Sequence, residues 1–122
     1  MSISLRGLHP DVRNAAELAL TWGTFLGLRP TVTSAFRSLS EQARLRARFE
    51  AGLARFPANR PGDSAHNFGL AFDSDPLAQT VVIAGQVFDA NAVWKIVREL
   101  AGFRVPDGDR VHAEVPGWRR FR

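Results

Sequence analysis

Ser64-Ala65-His66-Asn67-Phe68-Gly69-Leu70-Ala71-Phe72-Asp73 begins as a polar loop and ends as a strand. Leu70 to Ser74 alternates with the strand period. Ala71 and Asp73 therefore share one face, and Leu70 and Phe72 share the other. Gly69 lets the backbone approach closely, and Ala71 leaves room beside Asp73. A second polar cluster, Asp109-Arg110-Val111-His112-Ala113-Glu114, falls in the last predicted strand, Arg110 to Val115. There Arg110, His112 and Glu114 share a face. If the two strands are neighbours, Asp73 and His112 point into the same space. His66, on the loop leading into the first strand, can fold over it.

Two His and one Asp match the donor count of a catalytic zinc site, which takes three protein ligands and leaves a fourth place for water. Zinc pulls the pKa of bound water towards neutrality. A general base must then lie within hydrogen-bond reach of that water. Asp109, three residues ahead of His112, is a candidate, with Glu114 in reserve. Asp75 is a reserve ligand should Asp73 be misplaced.

Outward from these clusters, the chain reads as alternating elements. Pro10 suits a first helical position and Asp11 the positive end of the helix dipole. Val12, Ala15, Ala16, Ala19, Leu20 and Trp22 or Gly23 then recur at helical spacing to about Leu26, with Gly27 as the stop. Thr31 to Ala35 has the β-branched content of a short strand. Ser38-Leu39-Ser40-Glu41 fits a capping box for a second helix reaching about Ala54. That helix carries Arg44, Arg46, Arg48 and Arg55, read as a solvated basic face. Residues 56–65 are turn-formers. Thr80 to Phe88 reads as one or two strands turning at Gly85. Asp89 caps a third helix whose predicted buried stripe is Val93, Trp94, Val97, Leu100 and Ala101, ending at Gly102. Phe103-Arg104-Val105 is a predicted short strand. The order predicts an α+β fold: a small, mainly antiparallel sheet with about three packed helices.

Composition bounds the chemistry. The chain has 122 residues, one domain's worth, with 45% hydrophobic and 23% charged residues. It has no cysteine, so disulfides and thiolate metal sites are excluded and a transition-metal site must use His and carboxylate. Only three histidines are present. His9, far from both clusters and next to a helix start, is read as structural. Sixteen basic residues, all but one of them Arg, against 12 acidic ones give a net charge of +4, compatible with a polyanionic partner. The opening MSISLRGLHP has no apolar core or cleavage site of a secretory signal, and no apolar run reaches the ~20 residues that span a bilayer. The expectation is a product made in the cytoplasm without a signal peptide and without membrane insertion.

Ser64 through Asp73 resembles the S-x-H-x-x-G-x-A-x-D signature of the zinc D-Ala-D-Ala carboxypeptidases, D-Ala-D-Ala dipeptidases and phage L-alanyl-D-glutamate endopeptidases. Asp109-Arg110-Val111-His112 resembles their second signature, an acid three residues before the last zinc-binding His. Ser34-Ala35-Phe36-Arg37-Ser38 and Ser40-Glu41-Gln42 look like that family's strand-then-Arg segment and the start of its next helix. Leu8-His9-Pro10 and Trp94 fall where similar residues lie. The base is Asp where many relatives carry Glu, and the aromatic after the last His is here Ala113.

The resemblance implies a single zinc peptidase catalytic domain over residues 1–122, of the Hedgehog/D-Ala-D-Ala peptidase-like fold, with its zinc site on the sheet. It implies that His66, Asp73 and His112 bind Zn2+, that Asp109 is the general base, and that Arg37 polarises the scissile carbonyl. Ser64 and Arg37 would contact substrate. The activity implied is hydrolysis of peptidoglycan stem peptides by a monomer. L-alanyl-D-glutamate endopeptidase activity is favoured because the chain is short, basic and unanchored, as suits an endolysin released by a phage-type lysis system or carried on a virion. A D-Ala-D-Ala carboxypeptidase is the alternative. A non-catalytic cell-wall-binding or virion structural module is another, but it would need no general base. A nucleic-acid binder using the second helix and the Arg119-Arg120-Phe121-Arg122 tail lacks any recognised reader motif.

Overall fold

The computed structural model describes residues 2–122. Its elements are α1 (Pro10–Phe25), β1 (Thr31–Ser34), α2 (Leu39–Glu50), a 3-10 turn (Ala65–Phe68), β2 (Ala71–Asp75), β3 (Thr80–Ile83), β4 (Gln86–Asp89), α3 (Ala90–Leu100), β5 (His112–Glu114) and a second 3-10 turn (Trp118–Phe121). Two antiparallel sheets form, one ordered β1-β2-β5 and the other the β3-β4 hairpin. This is the α+β fold with three helices that the sequence predicts.

Local chemistry sets the helix starts. His9 Nδ1 accepts from the Asp11 amide at the head of α1, the structural role read for this residue. Ser38 and Glu41 form the full capping box of α2, each side chain satisfying the other's backbone N–H. Asp89 accepts from the Ala92 amide to start α3.

The core lies between α1, α3 and the back of the three-stranded sheet. Ala16 and Ala19 of α1 are fully buried, as are Trp94 of α3 and Phe72 of β2. A Cβ on Gly23 would lie 2.8 Å from Trp94 Cζ3, so only glycine lets α1 approach α3 this closely. Phe72 meets Phe103 edge-on at 5.1 Å, a pairing that adds to burial. Burying side chains of this size contributes about 1.5–3 kcal/mol each.

Four expectations are corrected. Helix α2 stops at Glu50, not near Ala54; Gly52, with φ +73°, follows at once. Phe103–Val105 is no strand but a single bridge, Arg104 to Glu114. The last strand is shorter than predicted, and Arg110 lies in the turn before it. In α3 Leu100 is 71% exposed, while Arg98 takes the inward position four residues after Trp94.

Candidate metal centre

The strand period places the site. Antiparallel pairing of β2 with β5 sets Asp73 directly opposite His112, with Ala71 opposite Glu114 one step along the same face. His66 arrives from the 3-10 turn, which Ser64 caps by accepting from the His66 amide at 3.3 Å. Gly69 ends that turn in the left-handed region at φ +69°. A Cβ there would lie 2.8 Å from the Gly7 carbonyl oxygen and 2.9 Å from the His9 nitrogen. The close approach demands glycine, and it brings His66 back over β2.

His66 Nε2 lies 3.1 Å from Asp73 Oδ1, and His112 Nδ1 lies 3.0 Å from the same oxygen. All three donor atoms fall within 4.8 Å of one another, and the group could hold a metal ion. Ligands about 2.0–2.1 Å from a tetrahedral ion stand about 3.3 Å apart, close to the two shorter separations.

The tautomers decide the fit. His66 Nδ1 lies 2.7 Å from the Ala35 carbonyl, which can only accept, so this nitrogen carries the proton. His112 Nε2 lies 2.8 Å from Glu114 Oε1, and donates to that carboxylate. In each neutral ring the opposite nitrogen, facing Asp73, then carries a lone pair. Three electron-rich atoms converge, and such a cluster is held only by added protons or by a cation. A dication bound by two imidazoles and a carboxylate, each imidazole oriented by an outer acceptor, satisfies all of them. Two imidazoles and a carboxylate are a donor set that a borderline dication accepts.

The titration directions agree. Burial tends to raise the Asp73 pKa, but hydrogen bonds from His112 and His66 outweigh it and hold the carboxylate well below its usual range. Burial tends to lower His112, but Asp73 and Glu114 outweigh it and push the imidazole up. Both shifts express one demand for positive charge among these groups. Side-chain exposure runs from 4% at His66 to 14% at His112 and 21% at Asp73. Solvent therefore reaches the cluster from the β2-β5 side.

Arg37 is fixed beside it. Its backbone N–H donates to the His66 carbonyl, and its carbonyl accepts from Asn67 Nδ2. The guanidinium donates to Gln42 Oε1 and to Ser34 Oγ, both at 3.0 Å, and Ser34 is the β1 residue paired with Asp73. Asp109 is exposed on the turn before β5, and its carbonyl accepts from the His112 amide. Its carboxylate has no hydrogen-bond partner among the described residues. Ser64 is 6% exposed, and its hydroxyl serves the His66 turn instead of facing solvent. Asp75 stands outside the cluster, its Oδ1 accepting from the Leu77 amide at 2.7 Å.

Sequence reading missed the brace behind the sheet. Trp94 Nε1 donates to Ser74 Oγ at 2.9 Å, next to Asp73. Arg98, 1% exposed, donates to the carbonyls of Arg110 at 2.8 Å and Val111 at 3.3 Å, just ahead of His112. Helix α3 thus grips both strands that carry Asp73 and His112 from the rear. The available signal was spacing: Arg98 follows Trp94 by four residues, on the same helical stripe.

No protein-family model and no curated protein matches this sequence. Solved structures do resemble it. The LD-carboxypeptidase LdcB aligns over 98% of this chain and 64% of its own, at 17% identity and a TM-score of 0.72. The L-Ala D-Glu endopeptidase ChiX of Serratia marcescens aligns over 96% of this chain and 86% of its own, at 24% identity and a TM-score of 0.60. The L,D-carboxypeptidase DacB of Streptococcus pneumoniae aligns over 93% of this chain and 68% of its own, at 22% identity and a TM-score of 0.66. The chain spans less than two thirds of LdcB's length. Its fold is the one these peptidases share, and in this chain the His66, Asp73 and His112 group could hold a metal ion.

Proposed function

We propose that this protein is a zinc-dependent hydrolase of peptidoglycan stem peptides, acting as an L-alanyl-D-glutamate endopeptidase of endolysin type. The observation that carries the reading is the convergence of His66 Nε2, Asp73 Oδ1 and His112 Nδ1, with the far nitrogen of each imidazole already committed to an acceptor. Similarity in fold to ChiX supports the choice of bond. No helix among the described residues is long and apolar enough to cross a membrane, and the proposed place of action is the cell wall, reached through a lysis system or on a virion. One copy of the chain supplies every proposed site residue.

A zinc ion held by His66, Asp73 and His112 supplies Lewis-acid activation of water and of the scissile carbonyl. Asp109, unpaired on its turn, is assigned as the general base. Its carboxylate takes a proton from the attacking water and returns it to the leaving amine nitrogen as the C–N bond breaks. Arg37, held rigid by Ser34 and Gln42, is assigned to the carbonyl oxygen, where charge develops in the transition state. Ser64 shapes the substrate wall by fixing His66, and its hydroxyl reaches substrate only if that turn opens.

The test is digestion of defined muropeptides with and without chelator, read by mass spectrometry. Cleavage between L-Ala and D-Glu, lost with chelator and restored by zinc, is expected. His66→Ala and His112→Ala should lose both metal and turnover. Asp109→Asn should keep the metal and lose about 100- to 10,000-fold in rate. An active, metal-free His66→Ala variant would end the proposal. A second reading, carboxypeptidase activity, is favoured by the similarity to two L,D-carboxypeptidases. Release of free D-alanine in the same digest identifies it, or its D-Ala-D-Ala counterpart.

A further inference from the structure

Beyond the metal cluster, a cavity of about 530 Å³ opens at the C-terminal end of β2. Its walls include Asp75, Gln79, Asn91 and Arg110. The pairing of β2 with β5 places this cavity relative to the metal group. Asp73 lies opposite His112, and the Ser74 amide donates to the Val111 carbonyl. Asp75 follows Asp73 by two residues and Arg110 precedes His112 by two, and both line this cavity. Asp75 is on the face of β2 that carries Asp73, about 7 Å further along.

Two opposite charges therefore line one cavity, yet Asp75 and Arg110 form no ion pair with each other or with any other described residue. Asp75 is held in place, because Oδ1 accepts from the Leu77 amide and leaves Oδ2 free. The Arg110 backbone is also held, because its carbonyl accepts from the buried Arg98. Its guanidinium makes no hydrogen bond to a described residue, so its five N–H donors are available. The side-chain amides of Gln79 and Asn91 are likewise uncommitted. A fixed carboxylate and a free guanidinium lining one cavity are complementary to a ligand that carries an ammonium and a carboxylate together.

We propose that this cavity is a substrate subsite for a zwitterionic α-amino-acid group, with Asp75 taking the ammonium and Arg110 the carboxylate. The inference rests on the stem-peptide reading above and deepens it. It names the peptide that is preferred: one whose diamino residue is a diacid with a free amino-carboxylate end, over one with a lysine-type residue that carries only the ammonium. Arg110 is then the residue that sets specificity, because only it distinguishes the two. At two to three residues' reach from the metal group, an extended peptide of about 3.3 Å per residue spans the distance.

The experiment compares two synthetic stem peptides identical except for that residue. Binding to the zinc-loaded protein is measured by calorimetry and turnover by mass spectrometry. Wild type should prefer the diacid peptide by about tenfold or more, and Arg110→Gln should bring that preference to within about threefold by weakening the diacid peptide alone. Asp75→Asn should weaken both peptides, since both carry the ammonium. Equal binding of the two peptides by wild type, or a preference that survives Arg110→Gln, overturns the subsite. If neither peptide is cleaved but the binding preference is present and needs Arg110, the subsite stands and the choice of scissile bond falls.

Discussion

Truncating Glu114 should weaken the metal centre without removing any donor atom. Glu114 Oε1 accepts from His112 Nε2 at 2.8 Å, and Oε2 accepts from Arg104 Nη1 at 3.0 Å. Its side chain is only 8% exposed, so water does not readily take its place. Without this acceptor His112 has two choices. It can keep the proton on Nε2 and leave a buried donor unsatisfied, or move it to Nδ1 and lose the lone pair that faces Asp73. A hydrogen bond to a charged group is worth about 1.5–3 kcal/mol. Outer acceptors of metal-bound histidines are worth about 10- to 100-fold in affinity, which is about 1.4–2.7 kcal/mol. The two routes agree, so Glu114→Ala should loosen zinc by about 10- to 100-fold.

Glu114→Gln separates the cause. Its carbonyl oxygen can still accept from Nε2, and the lost ion pair to the half-exposed Arg104 is worth under about 1 kcal/mol. Its affinity should fall by no more than about tenfold. Competition against a chromophoric chelator measures all three proteins, and denaturant unfolding of the metal-free forms checks that each folds. Glu114→Ala with wild-type affinity, or Glu114→Gln as weak as Glu114→Ala, would refute the tautomer argument. Turnover at saturating zinc adds a second reading: Glu114→Gln should stay active where Asp109→Asn is not. The reverse pattern moves the general base to Glu114.

Three further outcomes are expected. Arg98→Met removes the bonds to the Arg110 and Val111 carbonyls but also the cost of burying a guanidinium, whose pKa burial pulls down to about 10; Val111 keeps its bond from the Ser74 amide, so unfolding should show a loss of only about 1–3 kcal/mol, while zinc affinity falls because His112 loses its anchor, and unaltered affinity would remove α3 from the account. Gly69→Ala must hold φ near +69° against backbone atoms under 3 Å away, so it should cost more than the ~1–2 kcal/mol of a left-handed alanine alone, and a variant as stable as wild type contradicts the close approach. For the metal-free protein the pH signs oppose: the depressed Asp73 stabilises above its unfolded value of 3.8 and loses this as pH falls, while the raised His112 stabilises fully below 6.5 and loses this as pH rises. Denaturation midpoints should therefore be highest between about pH 4 and 6.5, and a midpoint rising from pH 7 to 9 would contradict the raised imidazole.

The donors were legible because strand periodicity is a strict rule. A period of two fixes Asp73 and His112 to faces, and one assumption of neighbouring strands brings them together; the observed register pairs them directly. The capping box at Ser38 and the helix start at Asp89 were equally local, each written within four residues. What stayed hidden depends on partners distant in sequence or on backbone atoms. The Ala35 carbonyl that orients His66 is identical in every residue type, and 31 positions separate the two. Glu114 could be assigned a face but not a partner, because its reach to the His112 ring depends on rotamer as well as on strand period.

Arg98 shows the deeper reason. Read by charge it belongs on the surface, since an arginine is almost never fully buried unless paired. Here its partners are carbonyls of a turn too short to join the sheet on its own. β5 is only three residues long, and ahead of it β2 reaches the Val111 carbonyl through the Ser74 amide but not the Arg110 carbonyl, which Arg98 takes. A ladder that short cannot hold a ligand strand in register by its own hydrogen bonds. The fold instead supplies a buried guanidinium from α3, five-pronged and planar, where a missing strand would have donated. Asp109 and Arg110 are exposed in that turn, while the Arg110 backbone is fixed from behind. Rigidity at the rear and open side chains at the front suit the hydrolytic role proposed for this short segment.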